Sequence, residues 1–313
     1  DESVSSGIVT LDGSASNGIG AANATSVSFS HTTGTGANRL LLVGASWNCG
    51  STTRTISSVT FTYGSNTLNL SQKVLQETAS TAQRFAAIWY SPTEPPQNTS
   101  GTVTVTFSGA VTNGIVAGAA NFAGVDLTTP FTSFGGANSS STGTTQSVTL
   151  SALNGNELVF DTVFIGASTP PDPTVGSGQT KLWSNTTSNT RGVASTEQAA
   201  GSSVQMSWST GSTTVAWASA AVAIKPAAAG TTYDLTMAVS PSGGGTTTPA
   251  VGTHAYAEGT VVNISATPAT GYEFSSWTGS VANSASASTA VTMNGSKTVT
   301  ANFVEVEGVV LDG

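Results

Sequence analysis

The chain has little charge, a single cysteine and no long hydrophobic run. Only 8% of its 313 residues are charged, and lysine and arginine together number 8. A nucleic-acid-binding surface needs a dense set of basic side chains, so we expect no nucleic-acid partner. Cys49 cannot form an intramolecular disulfide, and we expect a small, inert residue at a strand end. No stretch approaches the roughly 20 apolar residues of a membrane helix, so we expect no membrane insertion.

Serine, threonine, glycine, asparagine and alanine take the place of charged residues. A surface of this kind, poor in lysine, suits an extracellular protein, and low charge favours association between molecules. The chain begins at Asp1 rather than at methionine, which we interpret as the mark of a processed, exported protein. The expected location is therefore extracellular, at the cell surface.

Short β-rich runs separated by turn residues dominate residues 1–225, and they predict an all-β fold with a large, jelly-roll-like β-sandwich. Apolar and polar residues alternate in 103–107 and 204–208, as in strands with one buried face. The runs 114–125 and 213–224 are apolar on both faces, which predicts central strands between sheets or against a neighbouring subunit. The predicted strands are 26–31, 39–47, 56–63, 84–90, 102–108, 114–125, 147–150, 157–166, 192–197, 203–208 and 213–225.

A short linker rich in proline and alanine, 226–232, separates this domain from a second β-unit, 233–304, and a tail, 305–313. Within the second unit Tyr272 and Phe274 share a strand face at period two. Trp277 follows at a predicted turn. These aromatic side chains can close a small core.

Four stretches of the second unit form a recognisable pattern: Leu235-Thr236, the run 259–268, the Gly-Tyr-Glu-Phe-Ser-Ser-Trp-Thr-Gly run at 271–279, and Ala301-Asn302-Phe303. In these stretches the unit resembles the divergent internalin-type B-repeat family, small β-modules of bacterial surface proteins. The resemblance implies a spacer or stalk module and brings no catalytic residues with it.

Four runs of the first domain carry a second resemblance: 28–31, 38–44, 88–90 and 217–225. In these runs the domain is similar to β-sandwich modules of large secreted bacterial proteins of unknown function. Such modules recur in tandem, each opening with a strand like 7–13, so the resemblance implies that 308–313 is the opening strand of a further module.

The two ends of the chain are alike. Residues 7–13 read Gly-Ile-Val-Thr-Leu-Asp-Gly and residues 308–313 read Gly-Val-Val-Leu-Asp-Gly. We therefore predict a structural subunit of an extracellular filament or surface assembly, in which the tail of one copy pairs with the matching region of another. The alternative is that both runs are ordinary strand endings and the tail is a linker into a missing domain. The predicted assembly residues are Ile8, Val9, Leu11, Val304, Val306, Val309, Val310 and Leu311.

The sequence contains no constellation typical of an enzyme, so we predict no catalytic residues and no cofactor. Glu157 and Asp161 lie four residues apart on one predicted strand, about 13 Å along it, too far for a glycosidase pair. We expect Glu157 to be a solvated strand end. A structural calcium ion held by Asp126, Asp161 or Asp172 stays open but is not predicted. His31 and His254 are expected at strand ends.

Exposed tryptophans support a second hypothesis, a surface adhesin or carbohydrate-binding module on a stalk, with cell-surface glycans as partners. Sugar rings pack on flat aromatic faces, but a tryptophan that alternates with polar residues in a strand usually belongs to the core. A secreted hydrolase is a third, weaker hypothesis. The candidate sugar-facing aromatics are Trp47, Trp89, Trp183 and Trp208.

Overall fold

The computed structural model describes residues 7–79, 81–139, 143–228 and 230–306. These residues contain strands and no α-helix, so the predicted all-β class is confirmed, and they contain no helix able to cross a membrane. The chain forms two compact units, which divide near residue 228.

The first unit contains eighteen described strands. They are β1 (Thr10–Leu11), β2 (Ser16–Gly20), β3 (Ala24–Thr32), β4 (Leu40–Asn48), β5 (Ile56–Tyr63), β6 (Asn66–Asn69), β7 (Ser71–Glu77), β8 (Arg84–Tyr90), β9 (Ser100–Val111), β10 (Ile115–Ala123), β11 (Phe131–Asn138), β12 (Thr145–Ser151), β13 (Leu158–Gly166), β14 (Thr174–Val175), β15 (Thr180–Thr187), β16 (Thr190–Gln198), β17 (Ser203–Ser209) and β18 (Ala216–Ile224).

These strands form four sheets stacked in layers. Outer sheet I has the order β3-β9-β5-β6. Inner sheet I has the order β10-β4-β8-β7, with β1 and β2 end to end along the other edge of β10. Inner sheet II has the order β11-β18-β13-β16-β15, and outer sheet II has the order β12-β17-β14. Apolar cores fill the space between outer sheet I and inner sheet I, between the two inner sheets, and between inner sheet II and outer sheet II.

The predicted jelly-roll-like β-sandwich is therefore confirmed, and it consists of two jelly rolls. In each jelly roll the first strand lies at the edge of the inner sheet beside the last strand, and the second strand lies at the edge of the outer sheet. Strands β11 to β18 repeat the order of β2 to β10, without a separate counterpart of β6. The two alternating runs of the sequence, 103–107 and 204–208, occupy equivalent strands, β9 and β17.

The two jelly rolls pack through their inner sheets with pseudo-twofold symmetry. Strand β2 packs on β15 and its counterpart β11 packs on β7, while β4 packs on β16 and its counterpart β13 packs on β8. All residues of β4, β10 and β13 are consequently buried, as are eight of the nine in β18. Strands β10 and β18 are the two runs predicted to be central, and that prediction is confirmed.

A tryptophan and two glycines fix the distance between the inner sheets. The Trp183 ring lies between them, and a Cβ atom added to Gly118 would approach it to 2.5 Å. A Cβ atom added to Gly44 would lie 3.1 Å from the same ring. Glycine is required at these strand positions because the backbone itself forms the floor under the indole.

The second unit consists of two smaller sheets, with orders β21-β19-β25-β23 and β20-β22-β24. Trp277 lies inside a strand rather than at the predicted turn. A register shift between Phe274 and Ser276 turns Trp277 to the same side as Phe274, with ring centroids 5.6 Å apart. The strands are β19 (Thr232–Ser240), β20 (Gly245–Thr248), β21 (Gly252–Ala257), β22 (Val261–Pro268), β23 (Tyr272–Thr278), β24 (Ser288–Thr292) and β25 (Lys297–Glu305).

Candidate assembly site

The first described segment of the chain completes inner sheet I. Strand β1 pairs antiparallel with the Phe122–Ala123 end of β10, and the backbone N–H of Asp12 donates to the carbonyl of Asn121 at 2.8 Å. The chain then breaks away at Gly13 and returns to the same edge as β2. The surface of residues 34–36 and 121–124 that receives residues 8–13 is called the β1 slot below.

Only one apolar side chain of this segment is deeply buried. Val9 is 2% exposed and packs into the core between the inner sheets, together with Leu40 and Phe122. Ile8 is 62% exposed and Leu11 is 39% exposed. Of the three predicted assembly residues at this end, Val9 therefore anchors the strand, while Ile8 and Leu11 lie at its surface.

The carboxylate of Asp12 binds the loop between β3 and β4. Its Oδ1 accepts hydrogen bonds from the backbone N–H of Thr35 at 3.0 Å and of Gly36 at 3.1 Å, and its Oδ2 accepts from Gly36 at 3.1 Å. Successive backbone amides that converge on one carboxylate form an anion-binding nest. Residues 34–36 are called the amide loop below.

Glycines shape the slot for the Leu-Asp-Gly ending. A Cβ atom at Gly34 would overlap the Asp12 carboxyl group, and one at Gly124 would overlap the carbonyl oxygen of Ile8. Gly13 has a φ of 93°, in the left-handed region that favours glycine. Aspartate and glycine thus have separate structural roles at the end of this strand.

The amide loop is held by contacts that do not involve β1. The N–H of Asn98 donates to the carbonyl of Gly34 at 2.8 Å, and the Arg39 guanidinium donates to the carbonyl of Gly36 at 2.6 Å. Arg39 also pairs with Glu94 at 3.2 Å. The amides of the loop are therefore oriented by the fold of the first jelly roll.

A polar cleft of about 510 Å³ adjoins the slot. At its side lies His31, the last residue but one of β3, in line with the expected strand-end position, and it is 3% exposed. Its Nδ1 is 2.8 Å from Ser16 Oγ, and its Nε2 is 3.1 Å from Asn121 Oδ1. Burial lowers the pKa of His31, and the contact with Asn121 opposes this only partly. The imidazole of His31 therefore links β2, β3 and β10 close to Gly13, where the chain leaves the edge of β10.

The four candidate sugar-facing tryptophans are all core residues, so that prediction is wrong. Trp47, Trp89, Trp183 and Trp208 are 1%, 9%, 4% and 1% exposed. Each lies on a strand that is covered by another sheet, and the layered architecture therefore uses their rings as packing surface. Cys49 is a buried free thiol, and burial raises its pKa.

The acidic residues considered for chemistry have protein partners. Asp126 is bridged to Lys225 at 2.8 Å, and Asp172 lies 3.5 Å from both Lys181 and Arg191. Asp161 is buried and accepts hydrogen bonds from nearby groups of the second jelly roll. Among the described residues no group of three or more histidine, cysteine or acidic side chains could hold a metal ion.

Glu157 is not the solvated strand end that the sequence suggests. It is fully buried, and its carboxylate accepts backbone hydrogen bonds from Asn154 at 3.0 Å, Gly155 at 3.0 Å and Asn156 at 3.2 Å. Burial pushes its pKa up, but the amide donors outweigh that effect and keep the pKa below its usual value. In the sequence Glu157 is only a loop glutamate followed by an apolar strand, and nothing in that pattern predicts that its carboxylate binds the loop amides.

The second unit encloses its own aromatic core, in which Phe274 contacts both Trp277 and Phe303. Residues 233–307 match the family model of the divergent InlB B-repeat domain. This family is found in bacterial surface proteins, which suggests a surface-associated protein. The match covers the B-repeat module alone, and the resemblance of the first unit stays a prediction. No curated protein matches the chain.

The B-repeat module ends on the segment that leads to the predicted donor strand. Val304 and Val306 are 44% and 52% exposed, and the N–H of Val306 donates to the carbonyl of Gly271 at 2.9 Å. Tyr272 donates its hydroxyl to Glu305 at 3.1 Å. The last three predicted assembly residues, Val309, Val310 and Leu311, lie outside the described residues.

Proposed function

We propose that the chain is a structural subunit of an extracellular bacterial filament or surface assembly, in which residues 308–313 of one copy occupy the β1 slot of the next. The observation that carries this proposal is the match between the tail and the residues that fill the slot. Aligned on Leu-Asp-Gly, Val309 takes the place of Val9, and Asp312 takes the place of Asp12. In this proposal the partners are copies of the same chain, and the protein has no catalytic activity.

The resident strand is held in a way that permits exchange. It contributes two ladder pairs with β10, one buried side chain, Val9, and the Asp12 carboxylate. Its covalent connection raises its effective concentration at the slot. A donated strand makes equivalent contacts, so it displaces the resident strand only when the protein concentration is high. Exchange of an identical element between subunits is a low-cost route to assembly.

The geometry of such a contact leads to polymers. The donor residues follow the B-repeat module, whereas the slot belongs to the first jelly roll, so donor and acceptor surfaces differ. Head-to-tail contacts between unlike surfaces propagate into open filaments unless the rotation between subunits closes a ring. A Ser- and Thr-rich surface with only 8% charged residues leaves little electrostatic repulsion between subunits.

Electron microscopy and light scattering of the purified protein test the proposal. We expect the full chain to form filaments at high concentration and a chain lacking residues 308–313 to stay monomeric. The truncation leaves β25 intact, and circular dichroism would show that both units are folded. Replacing the exposed Val261 with serine serves as the control, because it alters an apolar surface residue remote from the tail in sequence. A monomeric full chain, or filaments of the truncated chain, would contradict the proposal.

A further inference from the structure

The loop before β4 in the first jelly roll is equivalent to the loop before β13 in the second, but the backbone amides of the two loops find their acceptors in different ways. In the second jelly roll the loop before β13 is closed by Glu157, the residue that directly precedes that strand, through the backbone amides of 154–156. In the first jelly roll the residue directly before β4 is Arg39, whose guanidinium donates to a loop carbonyl. The amides of Thr35 and Gly36 therefore receive their carboxylate from a different segment, through Asp12.

The first loop therefore binds a carboxylate from a separate segment and can act as a receptor, whereas the second loop binds a carboxylate of its own. Glu157 is built into its own loop and cannot leave without refolding it. The partner of the amide loop arrives on a strand that is held by few other contacts. Because Gly34 lies directly against the carboxyl group, the site accepts a carboxylate on a strand that runs close over the loop.

We propose that the amide loop selects the incoming strand of a second copy by binding the carboxylate of Asp312, so that Leu311-Asp312-Gly313 is recognised residue by residue. This inference rests on the proposed assembly and names its specificity determinant. Asp312 accepts the hydrogen bonds of Thr35 and Gly36 in place of Asp12. Gly313 supplies the left-handed turn of Gly13, and Val309 fills the pocket of Val9.

A peptide competition experiment tests the selection. The probe is a fluorescent peptide of residues 305–313, amidated so that it carries no terminal carboxylate. The protein is the full chain with Asp12→Asn and Asp312→Asn. Only the peptide then contains the aspartate of the Leu-Asp-Gly motif. Fluorescence anisotropy compares the native peptide with an Asp312→Asn peptide. We expect the asparagine peptide to bind about tenfold to a hundredfold more weakly, because charge-assisted hydrogen bonds are lost.

Two matched controls come from the chain itself. A Val310→Thr peptide should bind like the native one, because the resident strand carries Thr10 at that place. In the protein, Gly34→Ala should abolish the preference for aspartate, because the three nearest atoms to its added methyl group all belong to the Asp12 carboxyl group. Gly201→Ala, with open space around its added methyl group, should leave the preference unchanged.

Equal affinity for the aspartate and asparagine peptides would overturn the inference. Microscopy of the full chain carrying only Asp312→Asn separates it from the proposed function. Filaments that persist in that variant but vanish on deletion of 308–313 refute selection by the carboxylate and leave the assembly standing. A clear aspartate preference of the peptide without filaments of the native chain supports the receptor and refutes the assembly.

Discussion

Trp208 donates its indole N–H to Oδ2 of Asp161 at 2.7 Å, deep in the core of the second jelly roll. The backbone N–H and the hydroxyl of Ser195 donate to Oδ1 at 2.9 and 2.8 Å. Burial nevertheless dominates and raises the pKa of Asp161 to about 7, against the opposing hydrogen bonds of Trp208 and Ser195. A titratable group is thus held inside the core of the second jelly roll by three hydrogen bonds.

This carboxyl group makes stability depend on pH. Because the folded state binds a proton that the unfolded state has lost above its ordinary pKa of 3.8, the contribution of Asp161 is greatest in acid and is lost as pH rises to about 7. We expect the free energy of unfolding of the native chain, relative to Asp161→Asn, to fall between pH 5 and pH 8. Urea titrations at both pH values measure it.

The comparison with Asp161→Asn is needed because Glu197 titrates in the same direction, its pKa also being raised by burial. Both chains contain Glu197, so the part of its titration that burial alone causes cancels in the difference, while its charge, which also raises the pKa of Asp161, belongs to the effect that is measured. A difference in unfolding free energy that is constant from pH 5 to pH 8 would show that Asp161 keeps one protonation state.

The ion pair between Asp126 and Lys225 gives the opposite pH dependence. The hydrogen bond from Lys225 is the largest cause that lowers the pKa of Asp126. Its stabilisation is present above the unfolded pKa and is lost as pH falls through the lower folded pKa. We expect Lys225→Met to cost less than about 1 kcal/mol at pH 7, since both groups are partly exposed. The cost should shrink in acid, and an effect of equal size at pH 2 and pH 7 would assign it to packing.

The contact between Trp183 and Gly118 predicts a strong effect of one methyl group. Gly118→Ala would force the indole or the inner sheets apart, and overpacking of this kind costs about 1–3 kcal/mol. Gly201→Ala, which meets no atom within 4 Å, is the matched control. Thermal unfolding of both variants measures the difference, and equal melting temperatures would refute a tight interface between the inner sheets.

The B-repeat module should unfold separately from the first unit, because it has its own core. Phe303 is 4% exposed, and Phe303→Ala should cost the module about 3–5 kcal/mol. Differential scanning calorimetry should show one transition moving to lower temperature while the transition of the first unit stays in place. Val261→Ala, at a side chain that is 61% exposed, should move neither. A single transition shifted as a whole would contradict independent unfolding.

The strands that the sequence misses lie at sheet edges. Strands β2, β7, β11 and β15 have a ladder neighbour on one side only within their sheets, and their burial is partial. An edge strand has no need for the continuous apolar run that marks β10 or β18, so composition does not distinguish it from a loop. The repeat of the β2–β10 strand order in β11–β18 is also hidden in the sequence, because equivalent strands need similar burial and not the same residues.

The sequence by itself determines the all-β class, the central strands, the aromatic core of the B-repeat module and the likeness of 7–13 to 308–313. Each of these is a local pattern, since strand periodicity and a repeated motif need no knowledge of neighbours. Tertiary structure decides which faces are covered. Stacking four sheets buries all four candidate tryptophans, closes one loop with Glu157, and leaves the equivalent amide loop to be closed by Asp12. These outcomes depend on distances between segments far apart in the chain.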